Sequence, residues 1–213
     1  MKTDALIKQL SSNAKATRLY GSPGALLAPV FALSVVISFV FLYLFRGGAL
    51  LPWTEFPPAS VLEFGAVLGI ALSAAHLAAT LAIPGRTIRP ALAVLAVSCL
   101  ALGAVLIERA LGDSSGRWSD FPAAMFASVC ARDILITAAA AGVPLFLMAG
   151  KGAVLRRKLA GFLLVLSSAS LGAVLLFLFC ERVDAAHLVF CHYAPPAVLS
   201  LAGIFAGRVL PEI

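Results

Sequence analysis

Residues 24–45 read GALLAPVFALSVVISFVFLYLF, twenty-two positions without one charged side chain. The hydrocarbon core of a bilayer needs about 20 mostly apolar residues to cross it as a helix. Five further stretches meet the same test: 61–83, 90–107, 127–149, 159–179 and 186–206. None alternates apolar with polar residues as a membrane barrel strand would. Lipid offers no partner to open backbone groups, so each stretch is expected to be helical. The expected fold is all-α: a polytopic membrane bundle of six transmembrane helices over residues 23–209, preceded by a polar segment, 1–22.

Composition agrees. Hydrophobic residues are 62% of the 213 and charged residues only 12%, against about 45–50% and 25% in soluble domains. Mean hydropathy is +1.03. The opening MKTDALIKQLSSNAKATRLYGS lacks the short apolar core of a signal peptide.

Orientation follows from Lys and Arg in the connections. Eleven lie in the set made of the N-terminal segment, the 84–89 and 150–158 turns and the C-terminus; five lie in the other set, Arg46, Arg109, Arg117, Arg132 and Arg182. Both termini are therefore expected in the cytoplasm. The net charge of +6 is a topology signal, and no direct nucleic-acid contact is expected.

In the N-terminal segment, Leu6, Ile7 and Leu10 fall at helical spacing, with Lys8, Gln9, Ser12 and Lys15 opposite. Such a helix can rest on the lipids of the inner leaflet or offer its stripe to the groove of a partner protein. The pattern fits both.

The chemistry-bearing residues gather at the outer ends of spans four to six. Cys130 opens span four, Cys180 closes span five, and His187, Cys191 and His192 follow. His187 and Cys191 are four apart, hence on one α-helical face. Cys130 and Cys180 are expected at similar depth, where an oxidising compartment allows a disulfide. With His187, Cys191 and His192 they could instead hold a soft metal ion such as copper(I) or zinc. Cys99 and His76 fit ordinary packing roles. Glu63, Arg132 and Asp133 are ionisable groups near the outer ends of their spans, where such groups pair. Glu63 could neutralise Arg132, or Arg132 could neutralise Asp133.

Taken in order along the chain, MKTDALIKQL, then Glu63 through Ala74-Ala75 to Ala82-Ile83-Pro84-Gly85-Arg86, then Cys130, then Cys180, His187 and His192 resemble the NrsF family of membrane anti-sigma factors. The resemblance covers almost the whole chain. It implies a bacterial inner-membrane protein whose cytosolic N-terminal segment, here with Leu6, Ile7 and Leu10, holds an extracytoplasmic-function sigma factor. It also implies that two outer-side cysteines, at Cys130 and Cys180, sense metal or oxidative stress. Cys191 departs from the family pattern, which leaves open a two-thiol switch or a larger metal site. A membrane thiol oxidoreductase is the first rival, though no CxxC pair is present. A metal-binding or transport protein is the second, though ligands near the span centres are lacking.

Overall fold

A computed structural model describes residues 22–48, 58–83, 85–112, 128–152, 154, 156–182 and 184–210. Among these residues every regular element is helical. The long helices are α1 (Pro23–Phe45), α2 (Pro58–Leu81), α3 (Arg89–Gly112), α4 (Val129–Ala149) and α5 (Arg157–Leu176). A sixth span is composite. It opens with one α-turn, Ala185–His187, passes into a π-helix, Leu188–Tyr193, continues as α6, Ala194–Ala206, and closes with a 3-10 turn, Gly207–Val209. Six helices are long and apolar enough to cross a membrane. Leu6, Ile7 and Leu10 lie outside the described residues.

Helices α1 and α4 start at polar caps. The Ser22 hydroxyl accepts from the Ala25 N–H at 3.1 Å, with Pro23 behind it at a position that needs no donor. Ser128 does the same for α4, accepting from Ala131 at 3.1 Å, which puts Cys130 in the first turn. Two ends differ from the apolar count. Helix α3 runs on to Gly112 and carries Glu108 and Arg109 within it; a charge need not stop a helix when it finds a partner. Helix α5 stops at Leu176, because Phe177, Leu178 and Phe179 bond three residues back, to Val174, Leu175 and Leu176. That tightened turn leaves Cys180 beyond the helix.

The core is centred on α5, buried almost without break from Leu163 to Leu176. Around it stand α2, α4 and α6. Helix α3 is peripheral, with only Ser98 and Val105 buried, and Cys99 on it is exposed. Helix α1 buries one stripe, Pro23, Leu27, Phe31, Ser34, Ser38 and Leu42. Lipid provides little hydrophobic drive between helices, so small residues and hydroxyls carry the packing. Ala71, Ala74, Ala75, Ala78 and Ala79 of α2 are fully buried. Ser167 donates to the Ala71 carbonyl at 2.8 Å, Ser34 to Ala141 at 3.0 Å, and Ser38 to Thr137 at 3.4 Å.

The closest crossing joins α5 to the sixth span. A Cβ on Gly161 would sit 2.3 Å from the Gly203 oxygen and 2.5 Å from the Gly207 Cα. Backbone cannot yield as a flexible side chain can. Gly161→Ala should therefore part the two helices, at a cost of about 1–3 kcal/mol. A lowered unfolding midpoint in detergent reads this out. Gly65→Ala, where nothing lies within 4 Å, should leave the midpoint unchanged or slightly raised.

Candidate functional site

Four ligand atoms converge where the start of α4, the end of α5 and the start of the sixth span meet. They belong to Cys130, Cys180, His187 and His192, and all lie within 4.8 Å of one another. The two sulfurs are 3.7 Å apart, and both thiols are free. The Cys180 sulfur is 3.4 Å from His187 Nε2. Cys130, His187 and His192 are buried and Cys180 is half-buried.

Each arrives by a local device. Ser128 starts α4 and sets Cys130 in its first turn. The early end of α5 frees the chain to bring Cys180 back across the bundle. Asp184 caps the sixth span, its Oδ1 accepting from the His187 N–H at 3.0 Å, and is itself held by Arg182 at 3.1 Å. The π-helix then does what an α-helix would not. Its backbone bonds reach five residues back, as from the Ala194 N–H to the Val189 carbonyl, so residues five apart come onto one face. His187 and His192 are five apart, and their ring centroids are 5.1 Å from each other. Pro195 and Pro196 supply the reason: neither has an N–H to give the preceding turn, and a proline ring crowds the carbonyl four residues back. The wider turn relieves both problems.

The α-periodic pairing of His187 with Cys191 persists as a side-chain contact, and the π-turn brings His192 beside His187 as well. Cys191 is buried in the same segment but stands outside the group of four.

The surroundings are dry. His192 is 1% exposed, and neither of its ring nitrogens has a hydrogen-bond partner. Phe177 meets its ring edge-on at 6.1 Å. A buried imidazole with both nitrogens unsatisfied is unusual, because each orphan group costs free energy; a metal ion would satisfy one. Two cysteines and two histidines form a tetrahedral donor set for zinc and related ions. With metal–sulfur bonds near 2.3 Å, the sulfur–sulfur edge of a tetrahedron is about 3.8 Å, close to the spacing present. The residues therefore fit a soft metal ion. They equally fit oxidation, since the sulfurs need close only to about 2.05 Å. The hydrogen bond shared with Cys130, together with burial, pushes the Cys180 thiol above the ordinary cysteine range.

The charged groups pair across helices. Asp133, with its side chain 1% exposed, receives the Arg46 Nε–H at 2.7 Å, while the mostly exposed Arg132 lies at 3.3 Å. Glu63, 0% exposed, is paired with Arg109 of α3 at 2.7 Å and accepts from the Tyr193 hydroxyl. Arg109 also donates to the Ser60 hydroxyl at 2.9 Å. Glu63 and Arg132 are not partners. Arg46, Arg109 and Tyr193 were not among the residues that sequence reasoning singled out. Arg46 had one signal, being the first charge after span one and on the same expected side as Cys130.

Among the described residues, six helices long and apolar enough to cross a membrane carry a thiol–imidazole cluster at one end, an arrangement compatible with a multi-pass membrane protein. The chain belongs to the NrsF family: the family described as negative regulator of sigma F matches residues 10–211. It is thus a negative regulator of a sigma factor by family, which points to a regulatory rather than an enzymatic role. No curated protein and no solved structure matches the chain.

Proposed function

We propose that the chain is an inner-membrane anti-sigma factor that holds an extracytoplasmic-function sigma factor through residues 1–22 and releases it when Cys130 and Cys180 react outside. The observation that carries this reading is the four-residue cluster, Cys130, Cys180, His187 and His192, in a chain of this family. The distribution of Lys and Arg supports the orientation: eleven on the side of the two termini, five on the side of the cluster. Leu6, Ile7 and Leu10 are the anchors we assign to the sigma factor, as an apolar stripe offered to a groove.

Two stimuli suit the cluster. A two-electron oxidant would break two S–H bonds and form one S–S bond, with two protons released and two electrons passed to the oxidant. A soft metal ion would be held by the two sulfurs and the two imidazoles, supplying a cross-link between helices. Either way α4 becomes bonded to the segment between α5 and the sixth span. Such a bond is worth several kcal/mol, and moving a two-state equilibrium from 1:99 to 99:1 takes about 5.5 kcal/mol. The stimulus is thus of the size a switch needs.

Purification of the intact, tagged chain from its native membrane tests the reading. A sigma factor should copurify, and Leu6→Asp/Leu10→Asp should abolish its recovery while leaving the chain in the membrane. A wild-type chain that brings down no sigma factor sinks the proposal.

A further inference from the structure

Resting on that reading, we infer that Arg46 is a positioning residue that couples the cysteine site to α1, and through α1 to residues 1–22. Arg46 ends α1, its backbone N–H bonding the Leu42 carbonyl. Its guanidinium spans two groups one turn apart on α4. Nε–H donates to Asp133 Oδ2 at 2.7 Å, and Nη2–H donates to the Cys130 sulfur at 3.5 Å. One planar fork thus binds the cluster's sulfur and a buried carboxylate together, which a point-charge cation cannot do.

Helix α1 is suited to carry what happens there. It is continuous in sequence with residues 1–22. It touches the bundle along the single stripe from Pro23 to Leu42, and Leu33, Val36, Val40 and Leu44 are exposed. Among the described residues, three polar fasteners hold it to α4: Ser34 on Ala141, Ser38 on Thr137, and Arg46 on Asp133 with Cys130. Only the last touches the site. Closing the 3.7 Å gap between the sulfurs to about 2.05 Å must draw the Cys130 sulfur, Cys180, or both from their present places. In the proposed coupling the Cys130 sulfur is the one that moves: its 3.5 Å contact to Arg46 is then lost or remade, and the fork re-seats. An element with two discrete seatings is what physical coupling between sites requires.

The test uses the full chain in membranes with the sigma factor that copurifies with it, and cadmium(II) or diamide as the stimulus. Two quantities are read in parallel: alkylation of Cys130 and Cys180 by a maleimide mass tag, and the sigma factor retained. The wild type should lose both its alkylation and its bound sigma factor. Arg46→Gln should bind the sigma factor at rest and lose alkylation as the wild type does. It should release the sigma factor at least about fivefold less, the lower range of measured couplings. Asp133→Asn keeps the shape of the site and removes the other half of the fastener; it should behave alike, and it carries the test if Arg46→Gln fails to accumulate. Release equal to wild type in the variant overturns the inference. So does loss of thiol protection, which would make Arg46 part of the sensing site itself. A wild type that holds no sigma factor, or never releases it, overturns the function proposed above and not this coupling alone.

Discussion

Exchange of Cys130 and Cys180 for serine together should abolish stoichiometric binding of a soft metal ion by the purified chain. Structural zinc sites bind with about 10–16 kcal/mol shared over four ligands, or roughly 3 kcal/mol per ligand. Loss of one ligand is therefore worth about a hundredfold in affinity. His192→Ala should show that hundredfold loss alone, because it removes one of the four donor atoms. The double cysteine variant should show no saturable binding. Cys191→Ala provides the contrast. Its sulfur lies outside the group of four, so affinity should stay within about threefold of wild type, which is less than 1 kcal/mol. Titration with cobalt(II) makes the outcome visible, since tetrahedral ligation by sulfur and nitrogen gives an intense spectrum that octahedral water does not. An unchanged spectrum in His192→Ala would remove this histidine from the ligand set. In the cell, the same cysteine variant should keep its sigma factor through cadmium or diamide treatment while the wild type releases it.

Arg109→Leu is expected to be the most destabilising single change. It leaves Glu63, with 0% exposure, without its cation. Stranding one partner of a buried ion pair costs about 3–5 kcal/mol, whereas replacing both members with neutral groups is often close to neutral. Glu63→Gln should therefore recover most of the loss when added to Arg109→Leu. The amide oxygen still accepts from the Tyr193 hydroxyl, and no charge remains to be neutralised. The unfolding midpoint in detergent of wild type, both single variants and the double variant closes a cycle, and with the double variant near neutral the coupling term should approach the sum of the two single penalties. Additive single effects would show that the pair is solvated and not the fastener between α2 and α3. Because Tyr193 ends the π-helix that carries His192, this pair also bears on the cluster. Metal affinity measured on Arg109→Leu at a temperature where it is folded should fall in step with its stability.

Where the structure departs from the sequence pattern, the departures are local and have physical causes. The apolar stretch from 90 ends near Ile107, and α3 continues past it to Gly112, carrying Glu108 and Arg109. A charge is costly in lipid only when unpaired, and its partner Glu63 sits on another helix. Sequence offers Glu63 to Arg132, or Arg132 to Asp133; the structure pairs Glu63 with Arg109 and sets Arg132 beside Asp133. The α-helical period matches His187 with Cys191 but does not foresee His192 beside them, which the π-turn ahead of the two prolines supplies. Arg46 was counted only as an orientation charge, because its tie to Asp133 spans 87 positions of sequence.

The chain by itself determined that six apolar stretches become helices, since lipid leaves the backbone no other way to satisfy its hydrogen bonds. It also determined which side chains at the helix ends are able to carry chemistry, because thiols and imidazoles among so few polar residues stand out. Tertiary structure alone decided which of them meet. Proximity depends on which helices pack together and on where a turn tightens or widens by one residue, and no span's own pattern records its neighbour.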